Sequence, residues 1–429
     1  MDNHHDGSNN DSISRGTKHG ETQAWSAAGV NVLPSWFVPT KYFGRDVRSY
    51  LTRLDDDDDG KEEESCCEDN DENGNAQQLK QIDFTDPILR QVMEPHIEKA
   101  RQGRAKAWAQ LNHIPAPYPA LRNAVQQKHI SFSKKQFPWQ QELQNLLGVT
   151  TTTDDDNNLA QLHTVVPVSS KKELLQPLLS ASARWKFHET YERFVHNLIV
   201  PYLHQQYVNT LFPNKRGCRN DDDDDGERQH RLLVRYQAFP CLRVVRPGEF
   251  SIGPHCDLAY GHALASLNVY VPLSSPIGGT NALYAESQPG LEDWQPLWWD
   301  NHNEEEEEEG KSDNNHDRGV AIVFDGAQCL HFTLENTTPF TRVSMDFRIA
   351  LHDTTNESSS ADAMASSRPE WDDRYSEPPG YYAFCESVFV SSPNDANDDK
   401  NGHDTLPHVQ VLPLGEPIRT IDRRVGFPF

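Results

Sequence analysis

The sequence predicts a mainly β core, a sandwich or barrel, with helices packed around it. Between residues 231 and 352, short runs of β-branched and aromatic residues alternate with turns rich in Gly, Pro and Asn. This pattern is typical of antiparallel sandwiches and barrels. Upstream of this region, apolar residues recur at helical spacing. Acidic and polar tracts separate the apolar segments and contain too few apolar residues to form a core. The fold class is therefore α+β, with most of its order in the strands.

Six acidic tracts divide the 429-residue chain. They hold 26 of the 65 Asp and Glu residues, so the net charge of −25 belongs to them, and the other 39 acids are balanced by 40 Lys and Arg. Because no basic face is left over, the composition argues against nucleic-acid or anionic-membrane binding. The predicted regions are a disordered tail (1–24), an extended packing arm (25–54), an acidic linker (55–79), a helical region (80–230), a β core (231–352) with an acidic insertion (301–318), and an irregular C-terminal extension (353–429).

The cysteines and the hydropathy pattern bear on the cellular compartment. Seven cysteines occur without paired spacing, which suits a reducing environment better than a disulfide framework. No apolar run approaches the roughly 18 residues that a membrane span requires. The first residues lack the apolar core of a signal peptide. We therefore expect a cytoplasmic protein with no membrane partner.

Two segments of the helical region carry the clearest helix signals. Asp86 followed by Pro87 is typical of an N-cap and a first helical position. The apolar residues that follow predict a helix with a kink at Pro95. A second apolar stripe begins at Phe187 and is expected to end near Pro201. Helices of this kind usually pack on the outside of a sheet.

The strands of the core follow in order along the chain, and the last two bear on the site. Glu335 to Pro339 is typical of a β-hairpin turn. With the turn centred there, His331 lies opposite Ser344, and these two residues and Arg342 point to one face. The predicted strands are 232–236, 242–245, 266–272, 282–285, 320–324, 330–334 and 342–351.

Three residues of the core have the composition of a metal site. His255 and Asp257 are two residues apart, so on an extended segment they face the same way. His331 can supply a third ligand. Two histidines and one carboxylate with open coordination positions are typical of non-haem Fe(II) oxygenases, although the same ligands suit Mn(II), Co(II) and Zn(II).

An arginine and a serine on the same predicted face extend this site. Arg342 can bind a carboxylate through two parallel hydrogen bonds, and the hydroxyl of Ser344 adds a donor. Together they suit a short dicarboxylate whose other end chelates the metal. Arg348 falls on the same face by strand parity and is the alternative anchor. An ordinary inward-facing polar cluster would contain the same residue types.

The spacing of these residues resembles that of a known enzyme family. His255-x-Asp257, His331 and Arg342-x-Ser344 are similar to the motifs of Fe(II)/2-oxoglutarate-dependent dioxygenases. The segments around them look closest to a streptomycin-biosynthesis-type branch, distantly similar to phytanoyl-CoA hydroxylases. The resemblance covers about residues 236–351. It implies a double-stranded β-helix core, the cupin-like jelly-roll barrel, with helices packed outside.

The resemblance also implies residue roles and a reaction. The implied catalytic metal ligands, which would hold Fe(II), are His255, Asp257 and His331. The implied cosubstrate-binding residues are Arg342 and Ser344, with Asn268 as a further contact of 2-oxoglutarate. The reaction would consume O2 and 2-oxoglutarate, release succinate and CO2, and hydroxylate a small-molecule substrate.

Two other classes of protein are compatible with these residues. One is a catalytically inactive jelly roll that uses the site to hold a metal or another ligand. The other is a zinc hydrolase, in which Arg342 and Ser344 would have no role. The substrate stays undefined, because specificity would lie in loops such as the acidic insertion 301–318, where the chain departs from the family's pattern.

Overall fold

The structure is a computed structural model. It describes residues 41–58, 79, 82–149, 159–165, 181–211, 230–298, 317–357, 369–371, 381–390 and 408–414. The predicted tail, and most of the acidic linker and of the acidic insertion, lie outside these residues. None of the described helices is both long enough and apolar enough to cross a membrane.

The described helices precede most of the strands in the chain. They are α1 (Lys41–Asp58), α2 (Pro87–Gln110), α3 (Pro119–Val125), α4 (Trp139–Leu147), α5 (Leu162–Val165), α6 (Ala181–Phe194) and α7 (Val200–Leu211). The cap predicted for α2 is confirmed, since the carboxylate of Asp86 accepts hydrogen bonds from the backbone N–H groups of Ile88 and Leu89. Such a bond satisfies donors that have no partner within the helix.

Helix α1 corrects the prediction of an extended arm over residues 41–54, whereas residues 25–40 of that arm lie outside the described part of the chain. Both prolines of this segment, Pro34 and Pro39, precede residue 41 and so leave the helix unbroken. One turn apart on one side of α1, Phe43 and Val47 are buried. The ring of Phe43 packs on Phe332 with ring centroids 5.4 Å apart. Burial of this stripe is what stabilises the helix against the sheet.

The predicted helix end at Pro201 is also wrong. Helix α6 passes through a π-helical turn at Val195–Ile199 and continues as α7. Proline has no N–H group and crowds the carbonyl one turn earlier. In the π-helical turn, the N–H of Val200 donates to the carbonyl of Val195. The wider turn directly before Pro201 allows the chain to pass the proline as a helix.

The strands form two antiparallel sheets. A curled sheet has the order β1-β7-β4-β9-β2-β10-β11, with β3 also paired to β9, and a small sheet has the order β6-β5-β8. The strands are β1 (Lys128–Ser133), β2 (Arg231–Gln237), β3 (Cys241–Val245), β4 (Leu267–Pro272), β5 (Leu283–Ala285), β6 (Gln295–Pro296), β7 (Arg318–Phe324), β8 (His331–Thr333), β9 (Arg342–Asp353), β10 (Tyr382–Val390) and β11 (His408–Leu414). The mainly β core with flanking helices is confirmed.

Strand β9 shows how the sheet separates an apolar face from a polar one. Val343, Met345 and Phe347 belong to the large apolar core that also contains residues of α4, α6 and α7. Phe347 meets Tyr191 of α6 with ring centroids 5.1 Å apart. The residues between them on β9 face the other way. This second, concave face is the one against which the small sheet packs, through β5, β4 and β7.

The predicted hairpin between the last two strands of the core is wrong. Strand β8 pairs with β5, and β9 pairs with β2, β3 and β4, so the two strands lie in different sheets. The side chain of Asn336 fixes the connection by donating to the carbonyls of Val245 and Phe340, at 3.1 and 2.7 Å. These side-chain bonds hold the segment in which the chain crosses from the small sheet to the large one.

The two regions that flank the core contribute more strands than predicted. The region expected to be helical also supplies β1, which pairs with β7. The C-terminal extension, predicted to be irregular, supplies β10 and β11, and β10 pairs with β2. The large sheet therefore extends beyond residues 231–352 at both edges.

Candidate metal centre

A pair of backbone hydrogen bonds places the two histidines side by side. His255 lies just before a 3-10 turn, and His331 begins β8. The N–H of each residue donates to the carbonyl of the other, at 3.1 and 2.7 Å. Because this bridge aligns the two backbones, the imidazole rings lie with centroids 4.1 Å apart. Two ligands distant in sequence thus become neighbours.

Asp257 completes a buried group of three. Its N–H donates to the carbonyl of Gly326 at 2.8 Å, which fixes the start of the 3-10 turn. The Oδ1 atom lies 3.8 Å from Nε2 of His255 and 3.9 Å from Nε2 of His331. All three side chains are buried, and one ligand atom from each lies within 4.8 Å of the others. These separations leave room for one ion bonded to all three atoms.

Backbone carbonyls determine which ring nitrogen of each histidine carries the hydrogen. Nδ1 of His255 lies 2.9 Å from the carbonyl of Gly253, and Nδ1 of His331 lies 3.1 Å from that of Cys329. Because a carbonyl oxygen only accepts, each Nδ1 carries the hydrogen, and Nε2 is the nitrogen that faces Asp257. Burial lowers the pKa of both imidazoles. Neutral rings oriented in this way are the form that binds metals.

The two oxygens of Asp257 have different partners. Oδ2 accepts hydrogen bonds from Nε of Arg348 at 2.7 Å and from Nδ2 of Asn268 at 2.8 Å, whereas Oδ1 faces the histidines. Burial alone would raise the pKa of this carboxyl, but Arg348, followed by His262 and His331, holds it well below its usual value. Asp257 is therefore ionised and presents one oriented oxygen to the centre.

A second cluster on the concave face contains Arg342. This side chain is buried, its Nη1 donates to the carbonyl of Asn281 at 3.2 Å, and its Nε has no hydrogen-bond partner in the described part of the chain. The Ser344 hydroxyl, the Tyr270 hydroxyl and Oδ1 of Asn281 are also buried without such a partner. Burial raises the pKa of Tyr270, while nearby Arg342 and Ser344 counter this increase. The cluster thus holds several unsatisfied polar atoms around one cation.

The structure places the predicted site residues in two clusters, and it gives Arg348 and Asn268 a common partner, Asp257. Arg348 is held by Asp257, so it is not available as the alternative carboxylate anchor. Asn268, predicted to touch the cosubstrate, donates instead to Asp257, although its Oδ1 is buried without a hydrogen-bond partner among the described residues. Cys256 lies in an apolar cluster, away from the centre, as strand parity predicted.

Tyr270 and Asn281 were missed in the sequence analysis. Tyr270 stands two residues after Asn268 on β4, so strand parity could have placed it on the same face. Asn281 lies in a short 3-10 turn before β5. No periodic pattern marks such a residue in a sequence. Its contribution depends on the packing of the small sheet against the large one.

Comparison with known proteins gives one distant relative. The streptomycin biosynthesis protein StrG of Streptomyces griseus is 31% identical over 126 residues, which is 28% of this chain and 51% of StrG. The chain thus spans about half the length of this curated relative. No protein-family model matches the chain. No solved structure matches it either.

Proposed function

We propose that this protein is a non-haem Fe(II)/2-oxoglutarate-dependent dioxygenase that hydroxylates a small molecule. We further propose that residues 231–352 form its double-stranded β-helix core. The observation that carries the proposal is the buried group His255, Asp257 and His331, which is bonded to the concave face through Arg348 and Asn268. The same face carries a buried arginine, Arg342, that has no acidic partner among the described residues.

The donor set supports Fe(II) as the metal. Two imidazole nitrogens and one carboxylate oxygen converge from the same side, so three ligands would leave further positions open to cosubstrate and O2. In each of the three residues, the atom that faces away from the metal position is already hydrogen-bonded. Nδ1 of His255 and Nδ1 of His331 donate to the carbonyls of Gly253 and Cys329, and Oδ2 of Asp257 accepts from Arg348. Such bonds keep ligands oriented before the metal binds.

The charge of the concave face supports a dianionic cosubstrate. Two of its arginines are paired with carboxylates, Arg348 with Asp257 and Arg243 with Asp346, whereas Arg342 has no acidic partner among the described residues. A buried guanidinium without a counter-ion is costly. A carboxylate placed against Nε of Arg342 and the hydroxyls of Ser344 and Tyr270 would satisfy all these donors at once.

This arrangement indicates the reaction and the role of each residue in it. Bound Fe(II), with 2-oxoglutarate and O2, supplies the oxidant for a C–H bond while the cosubstrate becomes succinate and CO2. Arg342 and Ser344 would orient the far carboxylate of 2-oxoglutarate, and Arg348 would hold Asp257 in place. These side chains are themselves buried, and burial strengthens each of these electrostatic contacts.

The distant relative also supports an enzymatic role. StrG is named as a streptomycin biosynthesis protein, and biosynthetic proteins are commonly enzymes acting on small molecules. The match covers only part of each chain, so the proposal rests mainly on the site.

The test is 2-oxoglutarate turnover by the full-length chain. The protein, loaded with Fe(II), is mixed with 2-oxoglutarate labelled at C1, and released CO2 and succinate are measured in air. Even without a substrate, we expect slow release that requires Fe(II). His255→Ala and Asp257→Ala should abolish it, because each removes a ligand. His129→Ala, at an exposed position of β1, is the matched control and should retain it.

Two results would contradict the proposal. Release that persists in both ligand variants would show that the reaction does not occur at this centre. Tight binding of Fe(II) and 2-oxoglutarate without any release of succinate would favour the alternative of a catalytically inactive binding protein.

A further inference from the structure

An ion pair on the concave face is separate from the metal ligands and from the Arg342 cluster. Nε and Nη2 of Arg243 on β3 donate to the two carboxylate oxygens of Asp346 on β9, at 2.7 and 3.2 Å. Arg243 lies opposite Ser344 in the strand register. It therefore points to the same side of the sheet as Arg342 and Arg348.

This pair is more open to solvent than its neighbours. The side chains of Arg243 and Asp346 are 32% and 16% exposed, whereas the side chain of Arg348 is 6% exposed and Arg342 as a whole residue is 3% exposed. Beyond their mutual contact, the two charged groups make no side-chain hydrogen bond within the described residues. The N–H groups of Nη1 of Arg243 are therefore available to donate to a ligand. Solvent thus reaches the concave face at this pair.

The pair also lies near the metal centre. On β9, Asp346 stands between Ser344 and Arg348 on one face of the strand. Arg348, the next residue on that face, donates to the carboxylate of Asp257 at 2.7 Å. Ser344, which lies opposite Arg243 in the strand register, belongs to the Arg342 cluster. The opening is therefore placed where a molecule could approach both the metal and the cosubstrate.

In this bidentate pair, Arg243 retains hydrogen-bond donors and Asp346 retains acceptor positions. The pair can therefore bind a ligand that carries both an anionic and a cationic group. A carboxylate can accept from the outer donors of Arg243 while an ammonium donates to Asp346, and the internal pair stays intact. A ligand carrying both groups leaves the net charge around Arg243 and Asp346 unchanged. A ligand that is only anionic or only cationic would place its charge beside a like charge.

We propose that Arg243 and Asp346 recognise the substrate, and that the substrate is a zwitterion of the α-amino-acid type, with its carboxylate on Arg243 and its ammonium on Asp346. This rests on the proposed function, since it assigns the metal centre's substrate. Recognition by this pair would hold the side chain of the amino acid toward His255 and His331, where the metal would act on it.

The test begins with the anaerobic complex of the full-length protein, Fe(II) and 2-oxoglutarate, observed by its visible charge-transfer band. The twenty proteinogenic L-amino acids are added singly, each beside its methyl ester and its N-acetyl derivative. We expect at least one amino acid to shift the band and stimulate succinate release. Its methyl ester, which lacks the carboxylate, and its N-acetyl form, which lacks the ammonium, should bind about ten- to a hundred-fold more weakly.

Variants assign each half of the ligand to one residue. Arg243→Gln should remove the preference for the amino acid over its methyl ester, and Asp346→Asn the preference over the N-acetyl form. Arg45→Gln and Asp46→Asn alter an exposed Arg–Asp pair on α1 and should change neither preference. Each variant is thus compared by a ratio of affinities, which partial loss of folded protein does not change.

Three results overturn the inference. One is a band that no amino acid alters. Another is a preference that survives both Arg243→Gln and Asp346→Asn. The third is loss of 2-oxoglutarate binding in Arg243→Gln, which would place Arg243 in the cosubstrate site. If Fe(II) and 2-oxoglutarate give no band at all, the proposed function fails first, and the two failures are thereby distinguished.

Discussion

At the scale of single residues, Asp257 is the member of the candidate centre whose orientation is fixed by the most side-chain contacts. Its Oδ2 is held by Arg348 and Asn268, so only Oδ1 is directed at the two imidazoles. The spacing of His255 and Asp257 identified them as candidate ligands from the sequence. It could not identify Arg348 as their support, because strand parity gives the face on which a side chain lies but not its partner on that face.

The role of Arg348 gives a prediction about metal affinity. Arg348→Met removes the hydrogen bond that orients Asp257 and leaves this carboxylate without its buried counter-ion. We expect the affinity for Fe(II) to fall about ten- to a hundred-fold, as is typical when the support of a metal ligand is lost. Anaerobic calorimetric titration measures it, and Arg318→Met, at an exposed position of β7, is the control. Unchanged affinity in Arg348→Met would show that Asp257 is oriented by other contacts.

A second prediction concerns His204, outside the centre. It is buried on α7, its Nδ1 lies 2.6 Å from Oγ of Ser387, and burial, with His230 adding to it and Asp353 opposing it, lowers its pKa to about 4. The unfolded chain, with a pKa of about 6.5, therefore takes up a proton first as pH falls. Stability should be complete above about pH 6.5 and decline toward pH 4.

The measurement is urea unfolding at pH 7 and pH 5. Between these values His204 should account for about 2 kcal/mol of lost stability, and His204→Gln should lose correspondingly less than the natural chain. His113→Asn, at an exposed position, should keep the full loss. An equal loss in all three proteins would mean that other groups govern the acid sensitivity.

At the scale of elements, the connection between β7 and β8 supports the centre through a close approach. A Cβ atom at Gly326 would lie 2.5 Å from Nδ2 and 2.6 Å from Cγ of Asn268. The backbone of Gly326 also accepts the N–H of Asp257 at 2.8 Å. The absence of a side chain at this glycine therefore lets Asn268 reach Asp257.

This contact predicts the effect of Gly326→Ala. The added methyl group must displace Asn268 and with it one of the two hydrogen bonds to Oδ2 of Asp257, so Fe(II) affinity should fall about ten-fold. Gly103→Ala is a matched control, because its Cβ would meet only Ala259, at 3.5 Å, and alanine favours a helix interior over glycine. Equal metal affinities in the two variants would contradict the account.

The elements also show where sequence patterns suffice. The cap at Asp86 and the strands of the core were predictable, because capping and strand periodicity are local properties. The pairing of β8 with β5 was not, because Glu335 to Pro339 has the composition of a tight turn whether or not its flanking strands pair. The prediction of a helix end at Pro201 was wrong because a π-helical turn accommodates the proline. No residue of that turn marks it in the sequence.

At the scale of the whole molecule, two sheets and their helices create a polar interior next to an apolar one. Helices α4, α6 and α7 and the apolar residues of β9 form the main core. The opposite face of β9 carries Arg342, Ser344, Asp346 and Arg348. Alternation along the strand predicted this arrangement. That Arg342 lacks an acidic partner among the described residues emerged only when the ion pairs were known, since composition alone gives a strongly acidic chain.

In the proposed enzyme, Fe(II) and 2-oxoglutarate meet at His255, Asp257 and His331, with Arg342 as the anchor. Anaerobic absorption titration of the full-length protein with Fe(II) and 2-oxoglutarate tests it most directly. We predict a weak visible charge-transfer band that is absent in Asp257→Ala, and an affinity for 2-oxoglutarate reduced on the order of a hundred-fold in Arg342→Met. No band in the natural chain, or a band unaffected by both substitutions, would contradict the account.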